Sequence, residues 1–316
     1  MKHYLGIDLG GTAIKVGVVR EDYKIIAKHS TPTKHARPAE EIIADMVNTG
    51  KSAIKTAGLN ESDISHVGIC VPSSINNNNQ RIIFANNLGW RDFDVIPFFK
   101  KEWDIPVFLA NDADSAALAE VRAGAARQYS NAVMLTLGTG VGGGLIFNNQ
   151  VYTGGDGFGS EPGHIVIMAG GQQCTCGASG CFEAYASVTA LKRDTKRAMD
   201  EFPGSIMHDI NGDDPSHISG RTAFDAAAQG DEAGMLVVKN YIGYLATGIA
   251  SLIILLRPQA VIIGGGVSDA GEPLFGPLRE EVASRVCITG AVGIPPILKA
   301  ELGNDAGIIG AALLGV

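Results

Sequence analysis

Basic clusters, long apolar runs and low-complexity linkers are all missing from this 316-residue chain. Lys and Arg number 25 against 33 Asp and Glu, a formal charge of −8. Nucleic acid and anionic membrane surfaces are therefore not expected partners. The N-terminus carries no signal-like apolar run, and an acidic residue, Asp8, comes early. The most apolar stretch, residues 246–256, ends at Arg257-Pro258 and reads as too short to span a bilayer. A soluble cytoplasmic protein is the expectation. Cysteine is scarce: five residues, an odd count that argues against a disulfide framework and for a metal. Cys70 and Cys287 stand alone in apolar surroundings and read as small buried hydrophobes.

Glycine is the residue in excess. The 41 glycines are about 13% of the chain against a usual ~7%. They follow no Gly-X-Y period, so collagen is excluded, and they mark tight turns and close backbone approaches. Hydrophobic residues at 46% and charged residues at 18% give an ordinary globular balance.

Apolar periodicity predicts strands at 4–8, 13–19, 24–29, 67–71, 82–85, 107–110, 132–136, 142–147 and 260–263. It predicts helices at 38–57, 93–103, 115–126, 182–199, 233–256, 274–286 and 305–314, and a polar turn at 76–80. Alternating strands and helices make the fold α/β. The length suggests two domains, 1–113 and 114–302, with the last helix (303–316) packing back on the first. Residues 132–147 repeat the strand–glycine turn–strand pattern of residues 4–19, consistent with two related halves.

Two Gly-Thr turns stand between strands: Asp8-Leu9-Gly10-Gly11-Thr12 and Leu137-Gly138-Thr139-Gly140. Backbone N–H groups can converge there on an anion, and the Thr hydroxyls add donors. Lys15 supplies a nearby positive charge, and Asp8 suits Mg²⁺ as an oxygen ligand. Neither turn is a P-loop or a dinucleotide fingerprint, because strands follow both and no Gly-Lys-Ser/Thr is present. Each alone reads equally as a plain hairpin turn; together they suit the phosphates of one nucleotide. Gly264-Gly265-Gly266 follows an apolar strand and fits packing against a purine, or a simple strand-to-helix loop.

His164, Cys174, Cys176 and Cys181 make a complete tetrahedral zinc set. Four protein ligands leave no open position, so such a zinc is structural. The cluster lies between Glu161 and Glu183, which a zinc would hold near His164; a lone Glu is otherwise a surface carboxylate. Asn111-Asp112 ends an apolar strand and starts a helix. The pair reads as a helix cap, or as a carboxylate base kept ionised by the helix start. A weak base suffices for phosphoryl transfer, where the hydroxyl proton leaves late.

Together these motifs resemble the ROK family (repressor, open reading frame, kinase) of the sugar-kinase and actin superfamily, over essentially the whole chain. The most specific piece is His164 followed by Cys174-x-Cys176-Gly177-x-x-Gly180-Cys181-x-Glu183. Asp8-x-Gly10-Gly11-Thr12, Glu161-x-Gly163-His164, Leu137-Gly138-Thr139-Gly140, Gly264-Gly265-Gly266 and Asp305-Ala306-Gly307 match in order. The resemblance implies a two-domain actin-like (ribonuclease H-like) fold with an interdomain cleft. It implies transfer of phosphate from ATP to the 6-hydroxyl of a hexose, glucose first, with Mg²⁺ and a structural zinc. Asp112 would take the hydroxyl proton, and Asn111, Glu161, His164 and Glu183 would bind the sugar. The two Gly-Thr turns would hold the phosphates and the 264–266 loop would lie by adenosine. Homodimers or homotetramers are implied too. One departure is Val71-Pro72-Ser73-Ser74, where family kinases carry Pro-Gly, which places Ser73 beside the sugar. N-acetylmannosamine or N-acetylglucosamine remains the alternative acceptor. A sugar-sensing regulator is the alternative of another class, though the strand beginning at Tyr4 leaves no room before it for a DNA-binding helix-turn-helix.

Overall fold

The computed structural model describes residues 1–76, 80–212, 214–287 and 289–316. The chain opens with β1 (His3–Leu9), β2 (Ala13–Arg20), β3 (Ile25–Pro32) and α1 (Ala39–Thr56). Next come β4 (Ile64–Val71), β5 (Ser74–Asn76), β6 (Arg81–Ala85), β7 (Trp90–Phe93), α2 (Ile96–Glu102), β8 (Val107–Asn111) and α3 (Asp112–Arg122). Then follow β9 (Ala132–Leu137), β10 (Val141–Phe147), β11 (Gln150–Tyr152), α4 (Glu183–Ala186), α5 (Val188–Glu201), α6 (Met207–Asn211) and α7 (Thr222–Ala227). The chain closes with α8 (Glu232–Leu256), β12 (Ala260–Gly264), α9 (Glu272–Arg285), α10 (Thr289–Val292), β13 (Ile297–Lys299) and α11 (Ala306–Leu313).

Two five-stranded sheets share one strand order, β3-β2-β1-β4-β8 and β11-β10-β9-β12-β13. Each has a hairpin on one side and a parallel crossover pair on the other, the arrangement expected of two related halves. A three-stranded sheet, β5-β6-β7, is additional. The predicted helix at 93–103 corrects here to a strand, β7, and a shorter helix. Pro97 lies in the first turn of α2, where its missing N–H costs nothing. The predicted helix at 182–199 is two helices. Ser187 is extended and its hydroxyl accepts the Ala190 N–H at 3.1 Å, so α5 starts afresh there. The turn predicted at 76–80 falls mainly on residues 77–79, outside the described residues.

By contacts the chain divides into unit 1 (Met1–Ala132, Gly144–Ser160, Glu301–Val316) and unit 2 (Val133–Gly143, Glu161–Ala300). Unit 1 thus takes in α3, which packs on α11, and extends past the boundary expected near residue 113. In unit 1, β1 and β4 are buried on both faces, which explains their nearly unbroken apolar runs. Helix α1 covers β1–β3, and its Ile42 and Met46 share one buried apolar cluster with Leu5, Ile14 and Val16. Helix α11 lies against β1, β2 and β4. Its approach depends on Gly6 and Gly68: a Cβ there would stand 2.0 Å from the Ile308 carbonyl oxygen and 1.7 Å from that of Ala311.

In unit 2, α8 runs for 25 residues, so the apolar stretch at 246–256 is only its C-terminal half. By length and composition this helix is long enough to cross a membrane, contrary to the reading of that stretch alone. Most of its apolar window is instead buried against α5, α7 and α9.

Candidate functional site

Three parallel strands of unit 1 end together, because register fixes which side chains share an edge. Asp8 pairs with Cys70, Cys70 with Ala110 and Val71 with Asn111. The C-terminal edge of such a strand set is where α/β sheets present ligand groups. There the turn after β1 is closed by Gly10 N–H donating to the Ala13 carbonyl at 3.0 Å. Fully buried Thr33 braces it, its hydroxyl donating to the Gly10 carbonyl at 2.6 Å. Lys15 Nζ lies 3.3 Å from Asp8 Oδ2, so the predicted cation and carboxylate form a partly exposed ion pair.

Asn111 takes the capping role. Its Oδ1 accepts the N–H groups of Ala113 at 2.7 Å and Asp114 at 3.3 Å. Its Nδ2 donates to the Ser73 carbonyl at 3.0 Å, which ties the unusual 71–74 loop to the start of α3. Ser73 turns its own hydroxyl back to the Val71 carbonyl at 3.3 Å. Asp112 is the first residue of α3, half-buried, with Oδ1 accepting the Ala113 N–H at 2.9 Å.

Cys70 belongs to this edge as well. Its thiol donates to Asp8 Oδ1 at 3.7 Å and to the Gly307 carbonyl at 3.5 Å. Burial first, and then the Asp8 and Asp112 charges, push this thiol well above its ordinary range and keep it protonated. Gly307 crowds the same carboxylate, since a Cβ there would lie 2.8 Å from Asp8 Cγ. No local signal reveals Cys70 as a partner of a residue 62 positions away; only the β1–β4 pairing does. Cys287, expected to be buried, is exposed just beyond α9, where the chain has left the core.

In unit 2 the second Gly-Thr turn joins β9 to β10, with Gly138 N–H donating to the Gly140 carbonyl at 3.0 Å. The 264–266 loop leaves β12 and rests directly on this hairpin. Gly265 has φ +86°, and a Cβ on it would stand 2.2 Å from the Leu137 carbonyl oxygen. Both close approach and left-handed backbone demand glycine there.

The four zinc-type residues converge. The ligand atoms of His164, Cys174, Cys176 and Cys181 all lie within 4.8 Å of one another. Cys176 and Cys181 sulfurs are 3.6 Å apart, and Cys174 Sγ is 3.7 Å from His164 Nδ1. Zn–S bonds of ~2.3 Å in a tetrahedron place sulfurs about 3.8 Å apart, so the donor set and its spacing fit zinc. Gly180, at φ +86°, gives the loop its return. Glu161 precedes a short 3₁₀ turn, Pro162–His164. Desolvation, opposed by His164 and reinforced by Glu183, holds its carboxyl above the usual range. Glu183 opens α4. Its Oε2 accepts the Val141 N–H at 3.0 Å, and its Oε1 accepts the Thr175 hydroxyl at 3.0 Å. Thr175 escaped the sequence reading, being an ordinary residue between two cysteines.

Each unit thus gathers its own predicted residues: Asp8, Gly10, Gly11, Thr12, Lys15, Ser73, Asn111 and Asp112 in unit 1, the others in unit 2. Against known proteins, the family described as "ROK family" matches residues 4–315. A glucokinase of Thermotoga maritima is 38% identical over 309 residues, 98% of this chain and 95% of that protein. Among solved structures, a ROK family glucokinase from Streptomyces griseus in complex with glucose and AMPPNP is 32% identical. It has a TM-score of 0.80 and coverage of 98% of both chains. A ROK hexokinase from Thermus thermophilus, also 32% identical, has a TM-score of 0.85 over 99% of this chain and 97% of that one. The fold is the two-domain actin-like sugar-kinase fold, and the chain belongs to the ROK family.

Proposed function

We propose that the chain is an ATP-dependent hexose kinase that phosphorylates the 6-hydroxyl, with glucose as the acceptor. The observation that carries this is the division of labour at the start of α3. Asn111 accepts the Ala113 and Asp114 N–H groups as the cap, and Asp112, whose Oδ1 accepts the Ala113 N–H, stands half-buried beside it at the start of α3. Asp112 then accepts the sugar hydroxyl proton as the bond to the γ-phosphate forms, a late transfer in a loose transition state. The whole-length similarity to a glucokinase supports glucose.

In this reading Asn111, Ser73, Glu161, His164 and Glu183 bind and orient the sugar. Gly10, Gly11, Thr12 and Lys15 receive phosphate oxygens in unit 1, and Gly138, Thr139 and Gly140 do so in unit 2. Gly264, Gly265 and Gly266 border the adenosine. Asp8 is the oxygen donor suited to Mg²⁺, held in place by Lys15, Cys70 and Gly307. When bound, Mg²⁺ neutralises charge on the phosphates. His164, Cys174, Cys176 and Cys181 would hold zinc as a brace that keeps Glu161 and Glu183 in position. Assembly as a dimer or tetramer belongs to the same reading.

The test is ADP release from Mg-ATP with glucose, mannose, fructose, allose, N-acetylglucosamine and N-acetylmannosamine offered singly. Preference for glucose supports the assignment. Preference for an acetamido sugar moves the assignment to an amino-sugar kinase and implicates the Ser73-Ser74 loop. No turnover in folded protein overturns the kinase reading.

A further inference from the structure

The second Gly-Thr turn is held by three bonds that all come from the segment just after the Cys/His loop. Val141 N–H donates to Glu183 Oε2 at 3.0 Å. Val188 N–H donates to the Gly138 carbonyl at 2.8 Å. The Thr189 hydroxyl donates to the Thr139 carbonyl at 2.7 Å. Glu183 stands two residues after Cys181, and its other oxygen faces back into the loop. There the Thr175 hydroxyl donates to Oε1 at 3.0 Å. One carboxylate therefore bonds to both segments, with one oxygen on each. Such charge-assisted bonds are stronger and more directional than neutral ones.

We infer that Glu183 is a positioning residue that carries the conformation of the Cys/His loop into the 138–141 turn, with Thr175 as its contact on the loop. The physical argument is one of restraint. Gly138, Thr139 and Gly140 have little side-chain packing to set their backbone, so the bonds from Glu183, Val188 and Thr189 decide which way the peptide planes face. Gly138 and Val141 already spend their N–H groups inside the protein. The N–H groups of Thr139 and Gly140 are the turn's donors for an anion; their peptide planes are held at the Gly138 and Thr139 carbonyls by Val188 and Thr189, and Glu183 holds the next plane, at Val141. A change at the loop then alters nucleotide affinity through the turn. This inference rests on the reading that the 138–141 turn binds nucleotide phosphates.

The experiment uses the full chain with its metal content measured. Thr175→Val keeps the side-chain shape and removes the donor; Thr175→Ser restores the donor. Calorimetric titration with Mg-AMPPNP should show affinity weakened roughly three- to tenfold in Thr175→Val, a loss the size of one ordinary hydrogen bond because the effect is indirect, and near the unaltered value in Thr175→Ser. Metal content should be the same in both. Unchanged nucleotide affinity in Thr175→Val, or equal weakening in both variants, overturns the inference. Thr139→Val separates the two ideas. If Thr139→Val weakens Mg-AMPPNP binding and Thr175→Val does not, the link through Glu183 is wrong alone. If neither variant changes it, the Thr139 hydroxyl takes no phosphate oxygen and the link through Glu183 falls.

Discussion

Leu302 donates its main-chain N–H to Oε1 of Glu120 at 2.8 Å. Glu120 has no solvent exposure. The same carboxylate accepts Glu301 N–H at 3.0 and 3.1 Å and Ala125 N–H at 2.8 Å. A buried charge is tolerated only when its lone pairs are this fully used. These bonds fasten the start of the C-terminal segment that leads into α11. Glu120→Gln keeps the shape but turns a donor group toward donors. We expect it to lower unfolding stability by about 2–4 kcal/mol. Urea denaturation checks the magnitude, and faster proteolysis at residues 300–305 would locate the loosening.

Asp112→Asn preserves an oxygen that can accept the Ala113 N–H, so the fold should be unaffected. Sugar binding should change little, while turnover should fall by about 10²- to 10⁴-fold, the usual value of a general base. Steady-state kinetics with glucose, alongside a thermal melt, makes the comparison. Turnover within a few-fold of the unaltered protein would remove Asp112 as the base.

Cys176 is exposed, so changing it to serine removes little apolar burial. Any large effect of Cys176→Ser must then come from the metal. Elemental analysis should find zinc in the unaltered protein and a depleted content in the variant. Its melting temperature should fall toward that of chelator-treated protein, because metal binding and folding are coupled. A variant as stable as the zinc-loaded protein would argue that the cluster carries no structural metal.

His66 gives a pH dependence whose sign can be worked out. Its Nε2 lies 2.7 Å from the Ala312 carbonyl, and its ring stacks on Tyr4 with centroids 4.6 Å apart. Burial lowers its pKa; the Ala312 carbonyl works against the shift and Lys2 adds to it. The unfolded chain therefore binds more protons than the folded one near pH 6, and stability rises with pH there. The contribution is fully present above the unfolded histidine value of ~6.5 and is lost as pH falls through it toward the folded one. Urea midpoints should decline between pH 7.5 and pH 5.5, with a shallower decline in His66→Gln. An equal slope in the two proteins would clear His66 of the effect.

Much of this protein is legible along the chain, and the reason is locality. The cysteines of the metal set fall within eight positions, so their spacing alone predicts a cluster that the fold then assembles. The Gly-Thr turns and the helices α1, α8 and α11 are likewise encoded by neighbours in sequence, as period and turn chemistry. What local patterns could not show was decided by pairing at a distance. The β1–β4 register set Cys70 against Asp8. Burial of Glu120 recruited the backbone of residues 301 and 302. Glu183 reached Val141 at the end of the 138–141 turn, 42 positions away. In these cases the partners are separated in the chain and ordinary in type, so no spacing marks them. Strand register and the need to satisfy buried polar groups bring them together, and those terms exist only once the tertiary structure has formed.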